Sequence, residues 1–226
     1  MKYTHKTNST LYFLGDQILL ISSLPTNVKT LYGEHYMKPE LFDLFGIDLI
    51  KKENEIYSPV YAKYLTEITK INPNKYKKVE LPKRPYITYQ FDRSICKTNE
   101  YDNHGYKKFV CFTKPQIAQI LDSYSNYEQI DVGHKNYTLA ETAYLMNNAE
   151  YHVGCDSGPT LLSFASNAKN VDIWYKFDPF KYSNITISTL TEQYPSFNFL
   201  YTYNINGANL KYYNELTNTK LNSTLI

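Results

Sequence analysis

The sequence predicts an α/β protein built on parallel sheets, and three observations carry that prediction. Short apolar runs alternate with helical patterns through residues 85–175, the arrangement expected of strand–helix–strand units. Two capping boxes, Thr113-Lys114-Pro115-Gln116 and Thr138-Leu139-Ala140-Glu141, mark helix starts between those runs. The segment 71–84 is polar and basic and carries Pro73 and Pro82. It divides the chain into a shorter part over 1–80 and a longer part over 85–226.

In the first part, residues 11–14 read as a buried strand, and Gly15-Asp16-Gln17 as a turn. A helix then carries Ile18, Leu19, Ile21 and Leu24 and stops near Pro25. Val28–Tyr32 reads as a second strand. Pro39 opens a short helix that Gly46 ends, and Ile47–Ile50 is a third strand. Ser58-Pro59 opens a further helix with Val60, Tyr61, Tyr64, Leu65 and Ile68 on one face.

The second part begins with a strand at Tyr86–Phe91, followed by a polar loop to about Lys108. Phe109–Phe112 is an edge strand or the approach to the helix of the first capping box, which buries Ile117, Ile120 and Leu121. Tyr127–Val132 is a strand, and the second box opens a helix with Ala143, Leu145, Met146 and Ala149. A strand at Tyr151–Gly154, a turn at Cys155–Pro159, a helix through Ala165 and a strand at Val171–Tyr175 complete the regular pattern. Beyond Pro179, Phe197–Tyr203 reads as a strand and Lys211–Ile226 as a helix or frayed tail.

Composition narrows the function classes. With 24 basic and 22 acidic residues the formal charge is +2, so neither nucleic acid nor an anionic membrane is demanded as partner. The apolar run Leu11–Leu24 is broken by Asp16 and Gln17 and is too short to span a bilayer. No signal peptide opens the chain. Cys96, Cys111 and Cys155 are odd in number and lack CxxC spacing, which argues against a disulfide framework or zinc site and for a reducing cytoplasm. The 24 tyrosines, with frequent Lys, Asn and Ile, read as the codon bias of an AT-rich genome, such as a phage, virus or low-GC bacterium.

The chemistry concentrates at Asp156-Ser157-Gly158-Pro159. Asp156 or Ser157 caps a helix start, and Pro159 sits where a missing N–H costs nothing. Gly158, without a Cβ, admits a close ligand. The amides of Ser157 and Gly158, with the positive end of the helix dipole, form an anion site suited to phosphate. An ordinary capped turn is the alternative for these four residues alone. Gly154–Gly158 also fits a nucleophile elbow, but that hydrolase order needs a histidine downstream, and His5, His35, His104, His134 and His152 all precede Asp156.

Three stretches in order resemble the heptosyltransferases, the lipopolysaccharide-type glycosyltransferases of family nine. They are Leu14-Gly15-Asp16-Gln17-Ile18-Leu19 through Leu24-Pro25, Tyr86–Phe91 with Asp92-Arg93-Ser94, and Thr138–Met146 leading through Ala149-Glu150-Tyr151 to Asp156-Ser157-Gly158-Pro159. The resemblance implies a GT-B-like fold of two Rossmann-like halves, here with an abbreviated N-terminal (acceptor-side) half and a C-terminal half that binds the nucleotide sugar. It further implies transfer of a hexosyl or heptosyl group from a nucleotide-diphosphate donor to a hydroxyl, without metal or cofactor.

In that reading Asp16 is the general base. Ser157 and Gly158, with Asp156 fixing their loop, hold the donor diphosphate, and Arg93, Ser94 or Lys97 adds to that site. A helix cap is the plain alternative for Asp16. The acceptor is a saccharide, a protein side chain or a modified nucleic acid base. Leu161 stands where the family often has a histidine, and the family's tryptophan-and-lysine segment has no match beyond Lys97, Lys107 and Lys108. A non-catalytic nucleotide-sugar or glycan binding module and a nucleotide-sugar epimerase on the same fold are the alternatives.

Overall fold

The computed structural model describes residues 2–4, 14–33, 37–51, 68–91, 111–133, 136–176, 208–213 and 220–222. They form an α/β structure with two sheets. The first sheet has three parallel strands, β1 (Lys2–Thr4), β2 (Thr30–Gly33) and β3 (Asp48–Lys51), in that order. Helices α1 (Leu14–Ser23) and α2 (Pro39–Leu44) fall between them in the chain.

The second sheet is built from β4 (Tyr86–Gln90), β5 (Glu128–Asp131), β6 (Tyr151–Gly154), β7 (Val171–Tyr175), β8 (Ala208–Tyr213) and β9 (Lys220–Asn222). Its strand order is β5-β4-β6-β7-β8-β9, all parallel except the β8–β9 pair. Chain order therefore reverses between β4 and β6. In an open parallel sheet that crevice, at the carboxyl ends of the strands, is where ligands bind.

Helices α3 (Lys114–Asp122), α4 (Leu139–Asn148) and α5 (Gly158–Ala165) cover both faces of this sheet. Tyr124, just after α3, bonds Asp172, and Gln119 on α3 bonds Tyr213, so α3 lies over the face that carries Asp172. Tyr86 on the other face donates to Leu145 O of α4 at 2.9 Å, and Thr160 of α5 faces Gly154. A strand buried on both faces reads as a continuous apolar run, as Val-Asp-Ile-Trp-Tyr of β7 nearly does.

The two sheets share one apolar core through their helices. Leu20 and Leu31 of the first part and Trp174, Tyr175 and Ile87 of the second belong to the same buried cluster. Segment 71–84, read from sequence as a divider, is fastened to both sides. Ile71 N–H donates to Ala165 O at 2.8 Å, Asn72 N–H to Leu44 O at 3.0 Å, and the Tyr76 hydroxyl to Ser166 O at 3.0 Å.

Three of the expected elements need correction. Of the strand expected at 11–14, Leu14 belongs to α1 and residues 11–13 lie outside the described residues, among which the first strand is Lys2–Thr4. Gly15, Asp16 and Gln17 lie in the first turn of that helix and not in a turn before it, because a neighbouring helix packs closely there and makes glycine useful inside the helix. Lys211–Tyr213 belong to β8 and Lys220–Asn222 to β9, where the sequence read a helix or tail. The exposed edge of β7 supplies the partner that pulls these residues into a sheet.

Cys111 is disulfide-bonded, and only Cys155 is a described free thiol, buried in the core. An odd cysteine count does not exclude a single pair, and the inference to a reducing compartment loses its ground. The helix opened by Ser58-Pro59 (Ile68 excepted), the loop bearing Arg93, Ser94 and Lys97, and the strand at 197–203 lie outside the described residues. Among the described residues no helix is long and apolar enough to cross a membrane.

Candidate functional site

The carboxyl end of β6 delivers the chain into Cys155, Asp156 and Ser157 and then into α5. Gly154 ends the strand where β4 runs so close that a Cβ would lie 2.8 Å from Gln90 O. Ser157 is extended, with φ −158° and ψ 167°, and is the residue before α5, yet its side chain makes no capping bond. Its hydroxyl instead contacts Thr160 Oγ1 at 3.3 Å, and Thr160 donates onward to Cys155 O at 2.6 Å. Thr160 has spent its proton on Cys155 O, so Ser157 is the donor in that pair. The hydroxyl that would cap α5 is thus drawn to Thr160, and Ser157 does not cap the first amides of α5.

The start of α1 lies against the start of α5. A Cβ on Gly158 would fall 2.8 Å from Gly15 N and 2.9 Å from Leu14 Cβ, and one on Gly15 would fall 3.4 Å from Gly158 Cα. Two glycines back to back bring two helix N-termini together, and their partial positive charges add. Leu161 is buried, with Cδ1 3.3 Å from the same Gly15 position. Leu161 is therefore a packing contact between α1 and α5.

Leu14, Gly15, Ser157, Gly158 and Pro159 line one side of a cavity of about 550 Å³. Tyr137, Thr138 and Leu139 at the start of α4 line another. Here Thr138 and Glu141 satisfy each other as predicted: Thr138 N–H donates to Glu141 Oε2 at 2.8 Å and Glu141 N–H to Thr138 Oγ1 at 3.3 Å. Lys77, 2.7 Å from Glu141, and after it the Thr138 N–H hold the Glu141 carboxyl down at about 2.

The first sheet contributes the charged wall. Lys38 precedes α2, is exposed, and has no side-chain capping role. Gln17, fully buried on α1, accepts its backbone N–H at 2.9 Å and so sets where α2 begins. Lys75 is paired with Asp43 at 2.6 Å, whereas Lys38 forms no ion pair with a described residue. Both lysines and Glu40 line the cavity.

Of the residues nominated from sequence, Ser157 and Gly158 line this cavity. Asp156 is buried behind them, 3% exposed. Asp16 is half-buried in the first turn of α1 and is not among the described lining residues, although its neighbour Gly15 is. Arg93, Ser94 and Lys97 are outside the described residues; Phe91, just before them, accepts from Cys155 Sγ at 3.8 Å.

Sequence reading missed Gly15 as a contact and Lys38 as a lining cation. Lys38 did leave a signal: a lysine directly before a Pro-Glu helix start puts a cation at the positive end of a helix, an arrangement an anion would relieve. Among the described residues no group of three or more His, Cys, Asp or Glu is gathered to hold a metal ion.

No protein-family model and no curated protein matches the chain. Among solved structures it is similar to the bacterial iron-containing dodecameric glycosyltransferase TibC from enterotoxigenic E. coli H10407, at 13% identity and a TM-score of 0.42. That match covers 76% of this chain and 56% of TibC. A structure of dodecameric iron-containing heptosyltransferase TibC in complex with ADP-D-β-D-heptose is similar at 13% identity and a TM-score of 0.36, over 63% of this chain and 49% of that one. The chain thus spans about half the length of the TibC chains it matches.

Proposed function

We propose that the cavity where α1, α4 and α5 begin binds the diphosphate of a nucleotide sugar, and that the protein transfers the sugar to a hydroxyl acceptor. One observation carries the reading: three helix N-termini converge on one cavity, at the point where strand order reverses, with Gly15 and Gly158 clearing the backbone. Backbone donors placed where charge develops on a leaving group stabilise the transition state without moving. The sequence resemblance to the heptosyltransferases supplies the substrate class.

In the reaction so read, the acceptor oxygen attacks the anomeric carbon. The bond from that carbon to the diphosphate breaks, and its electron pair leaves with the diphosphate. The amides of Ser157 and Gly158, with Lys38 across the cavity, take up the charge. Asp16 removes the acceptor proton, which requires its carboxylate to reach into the cavity from the first turn of α1. The set of groups needs no metal ion in this mechanism.

The position of Asp16 outside the described lining favours a second reading, a module that binds nucleotide sugar without transferring it. Thermal shift against nucleoside diphosphates and nucleotide sugars tests the first claim, with stabilisation expected for at least one of them. Stabilisation by none would sink the donor site. For a donor that binds, transfer or donor hydrolysis that vanishes in Asp16→Asn with binding intact supports the enzyme, and an inactive parent supports the module. Lys38→Ala is expected to weaken diphosphate binding several-fold with the melting temperature of the free protein unchanged.

A further inference from the structure

A second cavity, of about 490 Å³, opens at the opposite, amino-terminal edge of the six-stranded sheet, on the face covered by α3. Register places Asp172 beside Asn209 and Trp174 beside Lys211, so four side chains of β7 and β8 share this face. Tyr124, Tyr127 and Tyr151 form its aromatic side. Tyr151 meets Tyr124 with ring centroids 5.9 Å apart and Tyr127 at 5.8 Å, both edge to face. Tyr127 and Tyr151 are half-buried, so each gives the cavity an apolar ring and a polar tip.

The polar floor is built and not fully used. Asp172 is 3% exposed and accepts from the Tyr124 hydroxyl at 2.5 Å and from Asn209 Nδ2 at 3.0 Å. A carboxylate has about four acceptor positions, so these two bonds leave room for more. Burial first, and then Asp172, hold the Tyr124 hydroxyl far above its usual range, which keeps it a donor. Trp174 lines the same cavity and is 2% exposed, and its buried indole N–H is held only by a loose contact with the Tyr124 hydroxyl, outside ordinary hydrogen-bond geometry.

We propose that this cavity binds the ring of a neutral saccharide, with Asp172 and the Trp174 N–H engaging its hydroxyls and Tyr127 and Tyr151 packing on its carbon face. A hydroxyl is both donor and acceptor, and so meets the spare positions of the carboxylate and the loosely held N–H together. Convergent polar groups beside apolar rings are features this cavity shares with small-molecule sites. Aromatic rings around a carboxylate also suit an alkylammonium ion, but Lys211 on the same floor repels a cation.

The inference stands independently of the diphosphate cavity. Saturation-transfer difference NMR on the full chain, with methyl glycosides of glucose, galactose, mannose and N-acetylglucosamine, tests it, with choline and uridine as comparison ligands. At least one glycoside is expected to bind, at millimolar affinity, and to weaken about tenfold in Tyr127→Ala and in Trp174→Phe while Gly158→Ala leaves its signal in place. If Trp174→Phe fails to fold, Tyr127→Ala alone decides. The proposal is overturned by the absence of any glycoside signal, by affinity undiminished in the variants that fold, by preference for choline or uridine, or by loss of the signal in Gly158→Ala alone.

Discussion

Gly158 tolerates no side chain where it stands. A Cβ would meet Gly15 N at 2.8 Å and Leu14 Cβ at 2.9 Å, backbone and stem atoms that move only if α1 moves. Gly158→Ala is expected to cost about 1–3 kcal/mol in urea unfolding, the usual range for overpacking. It should also weaken any nucleoside diphosphate measured by calorimetry, because the displaced α1 takes its N-terminus with it. A variant as stable as the parent would mean that the two helix starts are not in contact.

His152 gives stability a pH dependence. Its ring is fully buried on β6, with Nδ1 3.1 Å from Thr88 Oγ1, and burial holds its pKa down at about 3 against an ordinary 6.5. Above pH 6.5 the ring is neutral in both folded and unfolded chains. Below it the unfolded chain binds a proton that the folded one refuses until about pH 3, so stability falls as pH drops through that window, by at most about 1.4 kcal/mol per unit. Melting temperatures between pH 7.5 and 4.5 should fall more steeply for the parent than for His152→Asn. Parallel curves would contradict the assignment.

At the scale of elements, local chemistry was legible where it was complete in a few residues. The Thr138–Glu141 box closes as its spacing says, and Pro39 starts α2. Thr138→Ala is expected to cost about 1 kcal/mol in chemical denaturation, with Thr138→Ser close to the parent; equal loss in both would point away from the cap. The same local reading failed at Gly15, taken as a turn because glycine usually breaks helices. Its place inside α1 depends on Gly158, far along the chain. The C-terminal strands failed likewise: Leu210, Tyr212 and Tyr213 face the core only because β7 offers an edge to join.

Across the whole molecule, the alternation of strand and helix from 85 to 175 was sufficient to read parallel α/β architecture, since each element buries one stripe or face and must stack in layers. It was sufficient also to single out Ser157 and Gly158, which line the cavity, because a strand–turn–helix with a glycine at the helix start leaves backbone amides open by local geometry alone. Tertiary structure alone decided what surrounds that turn. It set α1 against α5, put Lys38 on the facing wall, buried Asp156 and turned Leu161 into packing. It also brought Tyr124, Asp172 and Asn209 together across three separate stretches of chain. Capping and periodicity act over one or two helical turns and so are written in neighbouring residues, whereas a cavity is made by surfaces whose meeting depends on strand order.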